Sequence, residues 1–282
     1  MSLIIEKRLV RQPDVYYFRL KAARLSRAAR AGQFVMVRVH EHGERIPLSL
    51  ADISPETESI ALIVMAVGKT TTKMCMLKEG ERLLDLCGPL GNPTPVKKYG
   101  HVVLVGGGFG VAPLYPIARE MKKFKNRITT IIGARSSDLI IYKTEMSSVS
   151  DRVMITTNDG TEGIKGFVTD ALQALIKEDR PDMVMAVGPS VMMKAVSELT
   201  KPEGIKTIVS LNPIMVDGTG MCGGCRVLVG GKMRFACVEG PDFDGHLVDW
   251  DGLIARQLTY KQEEQLSFEM WKKRHPHLIF EK

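Results

Sequence analysis

The sequence predicts a two-part architecture, an antiparallel β-barrel followed by a doubly wound parallel α/β domain, with a small cysteine-bearing lobe at its C-terminal side. Three observations carry this. Short apolar strands crowd the first hundred residues, strands and helices alternate from Tyr99 onward, and three of the five cysteines fall between Cys222 and Cys237.

The barrel comes first. VYYFRLKA, GQFVMVRVH, SIALIVMAV and RLLDLCGPL are rich in Val, Ile, Leu and aromatics, and Gly32, Gly43, Pro55 and Gly80 separate them. Short strands at close spacing with turn residues between them favour an antiparallel sheet closed on itself. Residues 1–98 are assigned to this domain. HVVLVGGG then reads as a parallel strand buried on both faces, because its apolar run is continuous rather than alternating. APLYPIAREMKKFK, VTDALQALIKE and SVMMKAVSELT have helical spacing, and ITTIIGAR, RVMITTND and DMVMAVGPS are strands between them. That alternation assigns 99–210 to a parallel domain whose ligand lies beyond the carboxyl ends of the strands. Residues 211–250 form the cysteine lobe. Its stretch from Asp217 to Gly231 is too glycine-rich for the core of a regular element. Residues 251–282, with Tyr260 and Trp271 among charged residues, read as a helical tail packed on this chain or on a partner.

Composition removes several classes of function. The 282 residues are 44% hydrophobic and 25% charged, as in an ordinary globular protein. No apolar run approaches the ~18 residues of a membrane span, and the N-terminus lacks the layout of a signal peptide, so a cytoplasmic location is expected. The net charge of +7 comes from scattered basic residues. It fits a mildly basic surface, docking to an acidic partner or attraction of a phosphate-bearing cofactor, and does not suggest nucleic acid binding. An odd number of cysteines with no secretory signal argues against a disulfide framework.

The strongest chemical motif is D-G-T-G-M-C-G-G-C-R-V, with Cys237 in the FACVEGP that follows. Cys222 and Cys225 form C-x-x-C, and Asp217 stands five positions ahead, where C-x4-C-x2-C spacing would place a first cysteine. A [2Fe–2S] cluster needs four anionic ligands, and a hard carboxylate can ligate iron. Asp217, Cys222, Cys225 and Cys237 therefore form the candidate set. Two readings compete with it: a structural zinc site, with His246 available as fourth ligand, and cysteines that share a loop by chance.

Second is V-G-G-G-F-G-V-A-P-L (105–114), between a strand and a helix. Glycines let a pyrophosphate approach the backbone at a helix N-terminus, although Val111 holds the place of the third glycine of a G-x-G-x-x-G. Arg135 could receive an adenosine 2′-phosphate or face solvent, and the turn at Gly188 and Pro189 offers another backbone pocket. Third is R-I-P-L-S-L (45–50), where Arg45 offers a donor fork for phosphate and Ser49 a hydroxyl for a flavin edge. In V-G-K-T-T (67–71), backbone N–H groups at a helix start would hold a pyrophosphate. Cys75 and Cys87 are expected to be buried and unliganded. His40, His42, His101, His246, His275 and His277 show no catalytic or ligand spacing and are expected at the surface.

Taken in order, R-x-P-L-S, V-G-K-x-T, G-P-L-G-N, G-G-G-x-G-x-A-P-L, G-P-x-x-M-M-K and the cysteine loop resemble the ferredoxin–NADP reductase superfamily. The branch is that containing the electron-transfer subunit of dihydroorotate dehydrogenase. Within it the chain is most similar to small subunits of NADH-dependent reduced ferredoxin:NADP oxidoreductases, because Asp217 stands in place of the loop's first cysteine. The resemblance implies FAD against Arg45, Pro47, Leu48 and Ser49, with Val64, Met65, Thr70 and Thr71 on its pyrophosphate side. It implies NAD(H), with NADP(H) also open, at Gly107, Gly108, Gly110, Gly188 and Pro189, and cluster ligation by Cys222, Cys225 and Cys237. It further implies an oxidoreductase subunit with no acid–base catalyst, relaying electrons to or from a larger flavoprotein and iron–sulfur subunit, with ferredoxin reached only indirectly. The other readings are service to dihydroorotate oxidation or sulfide reduction and, in a different class, a non-catalytic metal-binding redox regulator. One departure is notable: Thr70 replaces the glycine of V-G-K-G-T and must adopt its backbone conformation or shift the turn.

Overall fold

The computed structural model describes residues 2–11 and 14–275. His277, and with it the end of the tail, lies outside the described residues. Eight strands and two helices build the N-terminal domain. The strands are β1 (Ser2–Arg11), β2 (Val15–Lys21), β3 (Phe34–Arg38), β4 (Arg45–Ser49), β5 (Asp52–Ser54), β6 (Ser59–Met65), β7 (Arg82–Leu83) and β8 (Asp85–Leu90). The helices are α1 (Ala23–Ala28) and α2 (Lys69–Met76). One sheet runs β5-β6-β2-β1-β7 and the other β4-β3-β8, and their inner faces close on Phe18, Leu20, Val35, Val37 and Leu62, with Met74 of α2 in the same core. β1 escapes the sequence reading because its apolar and charged residues are mixed. It pairs along much of its length with β2 all the same.

The second domain holds β9 (His101–Gly107), β10 (Arg127–Ala134), β11 (Arg152–Thr157), β12 (Ile164–Lys165), β13 (Met183–Val187) and β14 (Lys206–Ser210). Helices α3 (Val111–Lys123), α4 (Lys143–Val149), α5 (Val168–Glu178) and α6 (Ser190–Thr200) connect them. The sheet order is β12-β11-β10-β9-β13-β14, with every pair parallel. All seven residues of β9 and all five of β13 are buried, as strands covered on both faces must be. The chain winds outward from β9 in one direction through β10, then restarts on the other side with β13. Such a reversal opens a crevice at the carboxyl ends of β9 and β13.

The cysteine lobe is more regular than its glycine content predicts. β15 (Arg226–Val229) and β16 (Lys232–Phe235) form a hairpin around Gly230 and Gly231, both at positive φ, as a two-residue turn of this kind requires. α7 (Ala236–Glu239) and β17 (Asp242–Asp244) follow, then α8 (Trp250–Gln257) and α9 (Lys261–Arg274). β17 joins the large sheet as an antiparallel edge beside β14, so the lobe and the nucleotide domain share one sheet and one core. Asn92, from the G-P-L-G-N motif, ties the barrel's exit to this lobe. Its backbone N–H donates to the Gly240 carbonyl at 2.6 Å and its side chain to that of Glu239 at 3.0 Å. The tail packs on its own chain: Trp271 is buried beside Phe268, Lys73 Nζ lies 5.9 Å from its ring centre, and Lys69 donates to Ser267 at 3.2 Å.

Two expectations fail. Cys75 is buried, with its Sγ 3.8 Å from the Val64 carbonyl, but Cys87 is exposed on β8. His101 is buried rather than superficial, because it starts a strand covered on both faces; Thr129 Oγ1 lies 2.9 Å from its Nε2.

A further tie between domains is ionisable. Thr94 donates its hydroxyl to Asp242 Oδ2 at 2.6 Å, while Asp242 Oδ1 is shut from solvent without a hydrogen-bond partner. Burial pushes this carboxyl up to about 6, against the lowering pull of the Thr94 and Ser210 hydroxyls. The folded state therefore holds a proton that the unfolded state, with a value near 4, releases. The associated stability is complete below about pH 4 and is lost as pH rises through about 6, by no more than about 3 kcal/mol. Replacing Asp242 with Asn removes this dependence. The melting-temperature difference, variant minus wild type, is expected to rise by about 5 °C between pH 4.5 and pH 8 in calorimetry.

Candidate cofactor cavity and cysteine loop

A cavity of about 1300 Å³ occupies the crevice predicted by the sheet order. Single drug-sized ligands fill roughly 300–1,000 Å³, so this volume suits more than one ligand group. The barrel supplies Pro47, Leu48, Ser49 and Met65 to its wall, and the nucleotide domain supplies Gly107, Gly108, Gly110, Arg135, Gly188 and Pro189. Met215 and Pro241 close it from the lobe side. Ten residues named from the sequence thus meet at one cavity.

The glycine turn allows this by close approach. A Cβ at Gly110 would overlap the Val187 carbonyl at the end of β13, a backbone atom with nowhere to go. Only a glycine lets α3 start this near the neighbouring strand. A Cβ at Gly107 would instead meet the sulfur of Met192, the movable end of a side chain; Met192 is a cavity-wall residue and Met193 is core.

Four named residues stand elsewhere. Val64 is buried in the barrel core, because alternate strand residues face opposite ways and Met65 takes the cavity side. Arg45 lies exposed at the outer end of β4, 3.5 Å from Asp85, which also pairs with Arg38 at 2.8 Å. Thr70 is buried within α2 and donates to Glu44 at 3.1 Å; its φ is not positive, so replacing glycine costs no left-handed strain. Thr71 Oγ1 accepts from the N–H groups of Val67 and Gly68 at 3.1 and 3.0 Å. Two amides expected to meet a pyrophosphate are therefore satisfied by the helix's own N3 side chain, a local competition that motif spacing does not reveal.

In the cysteine loop, Cys225 and Cys237 are buried with their sulfurs 3.1 Å apart. Cys222 is exposed, and its Sγ accepts from the Gly224 N–H at 3.4 Å; the Cys237 N–H points at Cys225 Sγ at 3.5 Å. Asp217 accepts from the N–H groups of Thr219 at 2.9 Å and Cys222 at 3.1 Å, bonds that hold its carboxyl below the usual range and keep it anionic. Among the described residues no three Cys, His, Asp or Glu side chains converge as a finished metal site. Two of the four candidate ligands meet, and the others sit on the same short loop. Three thiols, one carboxylate and backbone N–H groups directed at sulfur fit an iron–sulfur cluster. Gly218, at φ +77°, brings the loop against Met36 and Leu90 of the barrel, where a Cβ would press to 2.7 and 2.9 Å. His246 does not serve the cysteines: its Nε2 lies 3.0 Å from Thr200 Oγ1 on α6, which removes the fourth ligand of the zinc reading.

Comparison with known proteins agrees with this layout. Residues 104–198 match the oxidoreductase NAD-binding domain, and 212–249 match the iron–sulfur cluster binding domain of dihydroorotate dehydrogenase B. The chain is 49% identical over 269 residues to a dihydroorotate dehydrogenase B (NAD(+)) electron transfer subunit homolog of Thermotoga maritima, covering 95% of each. It is 32% identical to the corresponding subunit of Desulforamulus reducens, covering 85% of this chain and 94% of that one. Among solved structures, a chain from the NADH-dependent reduced ferredoxin–NADP oxidoreductase used to study flavin-based electron bifurcation superposes with a TM-score of 0.91. It is 47% identical, covering 96% of this chain and 98% of that one. A cytochrome P450 reductase from Amycolatopsis, at 23% identity and a TM-score of 0.59, shares the fold. No described helix is long and apolar enough to cross a membrane.

The Gly110→Ala variant tests the cavity. Its Cβ must part α3 from β13, so NADH affinity is expected to fall at least about tenfold, with about 1–3 kcal/mol lost in stability; titration calorimetry and thermal melting read the two effects.

Proposed function

Because this chain belongs to the family of dihydroorotate dehydrogenase B electron-transfer subunits, we propose that it passes electrons between NAD(H), FAD and a [2Fe–2S] cluster to or from a larger flavoprotein subunit, in NADH-dependent ferredoxin:NADP oxidoreduction with electron bifurcation. The observation that carries the reading is the single cavity in which barrel, phosphate turn and lobe meet. When bound, FAD would accept electrons from nicotinamide in pairs and release them singly, and the cluster would receive them one at a time.

The chain's own residues bind, orient and exclude water. Gly107, Gly108 and Gly110 would bring backbone N–H groups to the nucleotide phosphates at the start of α3. Gly188 and Pro189 would close the other side of the nicotinamide, and Arg135 would sit toward the adenosine end, where its guanidinium would receive the 2′-phosphate if the nucleotide is NADP(H). Pro47, Leu48, Ser49 and Met65 would bed the flavin on the barrel. Asp217, Cys222, Cys225 and Cys237 would hold the cluster, with one hard oxygen donor among three thiolates. None of these residues needs to act as nucleophile or acid–base catalyst. Membership of an electron-transfer family replaces the regulator reading.

A partner surface surrounds the cysteine loop. Val216, Met221, Met233 and Val238 are 58%, 88%, 63% and 41% exposed, an unusual density of bare apolar side chains beside Cys222. This face suits a larger subunit docked next to the cluster, with ferredoxin reached through that subunit.

Anaerobic addition of NADH, then NADPH, to the purified chain should bleach a flavin band; no bleaching by either defeats the reductase reading. Co-purification of a dihydroorotate dehydrogenase in place of a large flavoprotein would redirect the electrons to dihydroorotate oxidation. Asp217→Cys should keep a [2Fe–2S] centre with a changed spectrum and potential, and an unaltered centre removes Asp217 from the ligand set. Met221→Asp should weaken partner association by about tenfold or more in gel filtration or calorimetry, while leaving flavin bleaching intact.

A further inference from the structure

Helix α8 carries one cationic side chain to the cysteine loop. Asp249 caps the helix by accepting the Gly252 N–H at 3.1 Å, and the buried Trp250 donates to the Gly245 carbonyl at 3.1 Å. Asp251 pairs with Lys194 of α6 at 2.7 Å, and Gln257 at the other end donates to the Asn212 carbonyl at 2.9 Å. From this fixed helix, Arg256 donates to the Gly224 carbonyl at 3.2 Å. Arg226, at the start of β15, donates to the neighbouring Gly223 carbonyl at 2.9 Å. Both carbonyls lie in the C-x-x-C between Cys222 and Cys225. Among the described residues each guanidinium bonds a carbonyl and no carboxylate, so neither charge is cancelled by an ion pair. The contacts also orient the loop. A trans peptide points its C=O and N–H in opposite directions. Arg226 therefore fixes the peptide whose N–H, that of Gly224, is aimed at Cys222 Sγ at 3.4 Å. Arg256 holds the next peptide in the same way and turns the Cys225 N–H away from itself.

We propose that Arg226 and Arg256 are positioning residues that raise the reduction potential of the cluster, an inference that rests on reading the cysteine loop as the cluster's site. Reduction adds one electron, and with it one negative charge, to a centre already surrounded by thiolates and a carboxylate; no proton moves and no bond is exchanged. Each guanidinium places a positive charge on the loop that favours the added electron. Arg226 also keeps the Gly224 N–H directed at sulfur. Net charge and hydrogen bonds to the sulfurs are two of the properties that set the potential of such a centre. Arg256 is half-buried and Arg226 exposed, so solvent and salt screen Arg256 less and its influence is the larger. A raised potential makes the cluster a readier acceptor of single electrons and biases their flow from nicotinamide toward the partner.

The test is an anaerobic redox titration of the loaded full chain with dithionite and mediators, followed by electron paramagnetic resonance of the reduced cluster. Wild type is compared with Arg256→Gln, Arg256→Lys and Arg226→Gln, and thermal melting checks that each variant is folded. Arg256→Gln should make reduction of the cluster about tenfold less favourable, a fall of about 59 mV for one electron. Arg226→Gln should lower it by about threefold, in keeping with its greater screening. Arg256→Lys keeps the charge and should recover most of the loss. Wild-type potentials in both glutamine variants overturn the proposal, as does an Arg256→Lys potential as low as that of Arg256→Gln. If one glutamine variant takes up no iron, the other decides. A wild type that carries no iron–sulfur signal is a different result, and it removes the cluster reading itself.

Discussion

The arrangement depends on one close contact, the start of α3 against the end of β13. Gly110 lies so near the Val187 carbonyl that no side chain fits between them. That contact allows the first helix after β9 to begin directly over the gap where the sheet reverses direction. The helix start then faces the cavity, and the turn at Gly188 and Pro189 faces it from β13. A residue with a Cβ would push the helix away, leave the phosphate turn and the Gly188 turn too far apart, and dissolve the common floor on which the barrel residues converge. The apolar burial of β9 and β13 is what holds the two strand ends rigid enough for such a contact to persist.

The lobe is bound to this frame by shared structure rather than by surface docking. β17 extends the large sheet, Val227 and Cys225 enter the same core as Val103 and Val184, and Asn92 clips the barrel's exit to the end of α7. The cysteine loop therefore inherits its position from the sheet. Its glycines let it fold tightly, and Gly218 in particular lets it lie on Met36 and Leu90 of the barrel. The loop thus touches both the domain that would bed a flavin and the apolar outer face formed by Met221 and Met233.

What was legible in the sequence follows from which patterns are local. Continuous apolar runs marked the parallel strands, since burial on both faces leaves no room for alternation. Glycine clusters marked the turn and the cysteine loop, since no other residue makes such approaches. What escaped depends on context. Val64 and Met65 are chemically alike, and only the pairing of β6 with β2 decides which one faces the cavity. Thr71 looked like part of a phosphate turn, but its hydroxyl takes the amides itself. The hairpin β15–β16 was hidden by its glycines, although V-L-V-G-G-K-M-R carries a two-residue turn between alternating strands. β17 has three residues and no apolar signature, so its role at the sheet edge, and with it the place of Asp242, emerges only from the fold.

The two ends of the proposed electron path call for different degrees of order, and the chain supplies them differently. Hydride moves only between atoms in near contact, at about 3–3.5 Å, so the nicotinamide side must be rigid. It is built from strand ends and backbone turns whose spacing is set by contacts no side chain could adjust. Single electrons do not need such contact, and the cysteine side is accordingly a loop whose sulfurs and carboxylate are gathered on one short segment. An exposed Cys222 beside a bare Met221 puts that segment at the surface where a partner can approach.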